Sequence, residues 1–211
     1  MPRGSTRFRG ISGPSSRSDD AVSAEALYSL AVALTATMHH FEVALSDVDR
    51  GVYEALDLRV AQHPSETMRW LLVRTLAYCL SYEEGIAFSK GGLSSTDEPP
   101  IAVRDATGLL KRWIDVGAPS AERLHKASKG SAVSVYTHEL AQLRRQAAGQ
   151  TIHKAAEIDV WPLDARFVDA LGARVDRRAR LEVTGTVGAL YVTVGGASFE
   201  TNLARASLVG D

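Results

Sequence analysis

The feature that most constrains this chain is its C-terminal run, ARLEVTGTVGALYVTVGGASFETNL over 179–203. Val, Thr, Tyr and Phe suit a pleated, half-buried surface. Val187–Gly188 and Gly195–Gly196 interrupt the run at the intervals expected of tight turns. The pattern predicts three antiparallel strands in a closing meander.

Upstream, strands and helices alternate. ALYSLAVALTATMHHFEVAL (26–45) is apolar, and a strand is expected over about 27–45, with His39 and His40 near a bend. RGVYEALDLRVAQ (50–62) alternates weakly and leaves helix and strand both open. Met68, Leu71, Leu72, Leu76, Cys79 and Leu80 recur at helical spacing, so a helix is expected over 66–83, with Ser65 as N-cap and Gly85 as its stop. Strands follow at 86–91, 101–105 and 112–117. A helix is expected over 119–130, with Ser120 as N-cap and Gly130 just past its end, then a strand at 131–138. A helix at 139–149, a strand at 155–163 and a helix at 164–175 complete the order. Such alternation, closed by an antiparallel run, implies a mixed α/β or α+β fold.

Residues 1–25 are rich in Arg, Ser, Gly and Pro and read as a flexible tail, leaving 26–205 as one domain. The tail lacks the apolar centre of a secretory signal, and no stretch approaches the ~20 apolar residues of a membrane-spanning helix. No membrane partner is expected. The formal net charge is −1, so no global field recruits nucleic acid, although a locally basic groove is compatible with it. The single Cys79 cannot form an internal disulfide, which fits a cytoplasmic setting, and it lies on the apolar helix face.

Four acids stand out. Glu66 opens the apolar helix, Asp97 and Glu98 precede Pro99–Pro100, and Asp115 interrupts WIDVG at 113–117. Neighbouring strands lie ~4.8 Å apart, so acids on them can converge, and a helix laid across can add another. Three carboxylates at one point repel one another unless a cation joins them. Their oxygens suit Mg²⁺ or Mn²⁺, which can lower the pKa of a bound water and neutralise charge on a phosphoryl group under attack. Lys126, on the following helix, is placed to act as an electrostatic helper. Each residue also has a plain structural reading. Glu66 favours the helix dipole by ~0.3–1 kcal/mol, Asp97 and Glu98 are turn acids, Asp115 faces solvent on an edge strand, and Lys126 sits on a solvated helix face. His63 is a helix-boundary residue that could add a contact. His39, His40, His125, His138 and His153 have no metal-type spacing, and no Gly-rich phosphate loop or GxSxG elbow is present.

HPSET, then TDEPP, then WIDVG-x-P-x-x-x-R-L-x-K-A together resemble the YaeQ family of bacterial proteins, from about Leu27 to Leu203. The resemblance implies a variant of the PD-(D/E)XK core, a restriction-endonuclease-like mixed sheet flanked by helices. It implies that Glu66 is the helical metal acid, that Asp97 or Glu98 takes the "PD" role, and that Asp115 is the second acid. The motif lysine two positions after Asp115 is replaced by Gly117, and Lys126 is the candidate substitute. Two functions follow: a Mg²⁺-dependent nuclease using Glu66, Asp115 and Lys126, or an inactive nuclease-fold protein that binds nucleic acid or a protein partner.

Overall fold

The computed structural model describes residues 36–89 and 97–209. The expected tail and the first part of the expected first strand, 27–35, lie outside them. Among the described residues, ten strands form two five-stranded mixed sheets, with four α-helices between and beside them.

The first sheet has the order β10-β9-β8-β1-β2. Strand β1 (Thr37–Asp47) pairs antiparallel with β2 (Val52–Gln62) along its whole length. The ambiguous 50–62 segment is therefore a strand, and β1 runs through His39 and His40 without the expected bend. The C-terminal meander appears as expected: β8 (Arg178–Thr186), β9 (Gly188–Val194) and β10 (Ala197–Leu203) pair antiparallel. It joins the rest through a parallel contact between β8 and β1. Inner-face residues such as Phe41, Val43, Leu45, Leu58 and Val60 are buried. Their outward neighbours Met38, Glu42, Ala44 and Asp57 are exposed, the period-two alternation of a sheet covered on one side.

The second sheet has the order β3-β4-β5-β6-β7. It comprises β3 (Ile86–Phe88), β4 (Ile101–Arg104), β5 (Leu110–Val116), β6 (Ala132–Thr137) and β7 (Asp159–Pro162). β3, β4 and β5 pair antiparallel, whereas β5, β6 and β7 are parallel. The strand expected over 155–163 is shorter because Ala155–Glu157 forms a 3₁₀ turn.

Helix α1 (Met68–Leu80) is buried on nearly every side, from Leu71 through Leu80. It packs between the two sheets together with α4 (Ala165–Gly172), in one apolar core. A helix apolar all round needs such a two-sided burial. Helices α2 (Ala121–Gly130) and α3 (Leu140–Ala147) cover the other face of the second sheet, where Leu124 and Leu143 meet Trp113, Val133 and Val135.

Several expected helix ends differ, and α1 stops at Leu80 with Ser81 as C-cap, short of the expected end before Gly85. Thr67, not Ser65, caps α1: its side chain accepts from the Trp70 N–H, and Glu66 lies outside the helix. Gly130 belongs to the last turn of α2, with Ser131 as C-cap, while Ser120 caps its start as expected.

Candidate functional site

The HPSET segment is a tightly bonded helix entrance. His63 Nδ1 and Ser65 Oγ are 2.7 Å apart, and the Ser65 N–H also points to that nitrogen. Glu66 turns inward, its side chain fully buried, and accepts from both Nε and Nη2 of Arg74, at 3.0 and 2.9 Å. The His63 N–H donates to the same carboxylate. Arg74 also donates to the Ala61 carbonyl of β2 at 2.7 Å and lies 5.5 Å from the centre of the Phe88 ring. Gln62 Nε2 closes the turn on the Glu66 carbonyl. Bidentate pairing of this kind is the geometry in which a buried carboxylate is best satisfied.

Asp115 occupies the middle strand of the second sheet, not an edge. Along β5, Ile114 and Val116 join the core between the sheets, whereas Trp113 faces α2. Asp115 shares that outer face. Its Oδ2 accepts from Arg123 Nε at 2.6 Å and from the Trp113 indole N–H at 2.9 Å, and its Oδ1 accepts from the Val116 N–H. The Arg123 guanidinium lies 4.9 Å from the Trp113 ring centre and donates onward to the Glu98 carbonyl at 2.8 Å.

Asp97 is exposed and pairs with Lys126, whose ammonium holds its carboxyl below the usual range. The Glu98 carboxylate accepts from Ser89 Oγ at 2.8 Å. The fold thus gathers Asp97, the Glu98 backbone, Asp115 and Lys126 around Arg123, on the α2 side of the sheet. It sets Glu66 on the opposite side, against α1. Gly117 has φ +79°, and a Cβ built there would run into the Trp70 indole. The position at which the resemblance led a lysine to be expected has no room for one.

This donor set does not fit a divalent cation. Glu66 and Asp115 each have both oxygens engaged by N–H donors of their own chain, and a guanidinium already supplies the compensating charge. Among the described residues no group of three or more His, Cys, Asp or Glu stands where it could hold a metal ion.

Sequence reasoning missed Arg74, Arg123 and Trp70. Arg74 had a readable signal: an arginine inside the run LLVRTL must find an acid or break the core. Arg123 stood eight residues after Asp115 inside the WIDVG-x-P-x-x-x-R-L-x-K-A segment, but nothing in the segment assigned it a partner. Trp70 looked like one more apolar helix residue.

The sequence matches the family described as "YaeQ protein" over residues 32–203. It is 30% identical over 175 residues to the uncharacterized protein YaeQ of Escherichia coli (strain K12), covering 82% of this chain and 96% of that protein. It is 31% identical to the Salmonella typhi protein of the same name, covering 77% of this chain and 91% of the relative. The crystal structure of YaeQ from Xanthomonas axonopodis pv. citri superposes with a TM-score of 0.69 at 32% identity, over 82% of this chain and 99% of that one. The YaeQ structure from Pseudomonas syringae gives 0.70 at 29% identity, over 81% and 95%. Sequence and fold therefore agree, and this chain belongs to the YaeQ family.

Proposed function

We propose that this chain is a non-catalytic binding protein on a nuclease-like core, and that its partner is another protein. One observation carries the reading: the carboxylates of Glu66 and Asp115 are saturated by Arg74 and Arg123. For Mg²⁺ to enter, each arginine would have to leave its acid, and a buried guanidinium without its partner is strongly destabilising. The Trp70 ring in front of Gly117 supports the same reading. A protein partner is preferred to nucleic acid because the net charge is −1, so phosphate contacts would gain little from the field of the whole molecule. A cytoplasmic setting goes with it, since Cys79 is a buried free thiol.

The test is incubation of the purified chain with single- and double-stranded DNA and RNA in Mg²⁺ and then Mn²⁺, beside Asp115→Asn. The expected result is no metal-dependent cleavage by either protein and no rise in Tm with either cation. Cleavage that disappears in Asp115→Asn would restore the nuclease. Tight, salt-sensitive binding of a nucleic acid without cleavage would replace the protein partner.

A further inference from the structure

At the far end of α2 from the Asp115–Arg123 pair, a cleft of about 340 Å³ opens between the last turn of the helix, the start of β6 and the 3₁₀ turn before β7. That volume lies at the lower end of the ~300–1,000 Å³ range of small-molecule sites. Lys129, His153 and Lys154 line it, with Glu157 as its one carboxylate and Ile158 as an apolar wall.

Three observations give the cleft a chemical character. First, Lys154 is the only non-glycine residue with positive φ among the described residues, at +49°. A side chain in this left-handed region carries strain of ~1–3 kcal/mol, and such strain concentrates where a side chain must be aimed. Second, the charges do not cancel. Glu157 is taken up by Lys154 at 3.0 Å, whereas Lys129 has no ion pair among the described residues. Third, two carbonyls of α2 take serine donors. The Ser131 N–H and hydroxyl both donate to the Ala127 carbonyl, and the Ser128 hydroxyl donates to that of His125. The Ser128, Lys129 and Gly130 carbonyls still carry the negative end of the helix dipole, worth about half an elementary charge, and it is Lys129 and Lys154 that offset it at the cleft. The loop is tied to α2 through His125 Nδ1, which either accepts from the His153 N–H at 3.2 Å or, in the other tautomer, donates to the Thr151 carbonyl at 3.0 Å.

We propose that this cleft binds a small phosphate-bearing molecule, with Lys129 and Lys154 on the phosphate oxygens and His153 at the rim. The Lys154–Glu157 pair is exposed and therefore weak, so an arriving phosphate can share the ammonium. The site is independent of the acids discussed above and does not rest on the reading of their function.

The experiment is calorimetry and thermal denaturation of the full chain with inorganic phosphate and pyrophosphate, against sodium chloride at equal ionic strength. Saturable binding with a rise in Tm is expected, stronger for pyrophosphate. Lys129→Ala should raise Kd about tenfold or more, the loss of one charge-assisted contact. Lys154→Gly should abolish the shift while leaving the unliganded protein as stable or more so, since glycine accepts the left-handed backbone. Lys154→Asn, which also tolerates that conformation, repeats the result with a side chain present. Stabilisation no greater than that by chloride, or binding that survives Lys129→Ala combined with Lys154→Gly, overturns the proposal. A short single-stranded oligonucleotide that binds more tightly than pyrophosphate overturns the small-molecule assignment.

Discussion

The indole of Trp70 fills the space in front of Gly117, so the first residue after β5 can carry no side chain. Its backbone adds a second restriction, because φ is +79° there. Placing a lysine there should therefore break the fold locally. Gly117→Lys is expected to lose about 2–5 kcal/mol, the sum of left-handed strain and overpacking, and Gly117→Ala most of the same. Urea denaturation measures it. Adding Trp70→Ala should return the overpacking part and leave the backbone part, so the two changes will not be additive. A Gly117→Lys protein as stable as the parent would show that the ring moves aside freely.

Glu66 and Arg74 form the second test. Removing one partner leaves a buried charge without compensation, so Arg74→Ala should cost about 3–5 kcal/mol. Replacing both together, as Glu66→Leu with Arg74→Met, should cost much less than the sum, because no charge is stranded. Equilibrium unfolding of the two single variants and the double gives the coupling. Additive losses would mean that the pair is an accident of proximity and that Arg74 acts through its contact with Phe88 and the Ala61 carbonyl.

Much of this fold was legible because local chemistry and tertiary context agree. Val187–Gly188 and Gly195–Gly196 placed the meander turns, Ser120 marked the start of α2, and the spacing of Leu71, Leu72, Leu76, Cys79 and Leu80 announced α1. The helix start at Thr67 was misplaced because Ser65, Glu66 and Thr67 are all good cap chemistry, and only the inward turn of Glu66 decides among them. The division of the strands between two sheets was not legible, since the parallel register of β1 with β8 joins segments some 138 residues apart. For the site, sequence found acids that matter but not what they bind. Asp115 and Arg123 meet only because β5 and α2 are packed face to face, and no one-dimensional period encodes that contact.

His138, just past β6, gives a pH prediction. Its side chain is 5% exposed and its Nδ1 has no hydrogen-bond partner among the described residues. Burial lowers its pKa below the ordinary 6.5. Glu139 beside it and Asp169 on α4 raise it, and Arg69 on α1 lowers it further. The folded imidazole resists a proton that the unfolded chain accepts. Stability is therefore complete above pH ~6.5 and falls as the pH drops below that value, until the folded ring is itself protonated. His138→Phe should flatten this part of the pH–stability curve. Denaturant midpoints between pH 5 and 7.5 measure it, and identical slopes in the two proteins would assign the acid sensitivity elsewhere.

Cys79 offers a readout of opening that leaves the rest of the molecule intact. The thiol is buried in the core between the sheets, and burial pushes its pKa up to about 12. The thiolate is the reactive form, and at pH 8 only on the order of one folded molecule in ten thousand would carry it even with the sulfur accessible. Access is closed as well, since α1 lies between the two sheets. A disulfide reagent at pH 8 should therefore label the native chain no faster than the chain unfolds. Urea below the unfolding transition should leave labelling slow, and urea above it should make labelling immediate. Because Arg74→Ala loosens the same helix, it should speed native-state labelling about tenfold for every ~1.4 kcal/mol of stability lost when opening is rapid and reversible. Fast labelling of the unmutated chain in buffer would mean that α1 leaves its place between the sheets far more easily than its burial implies.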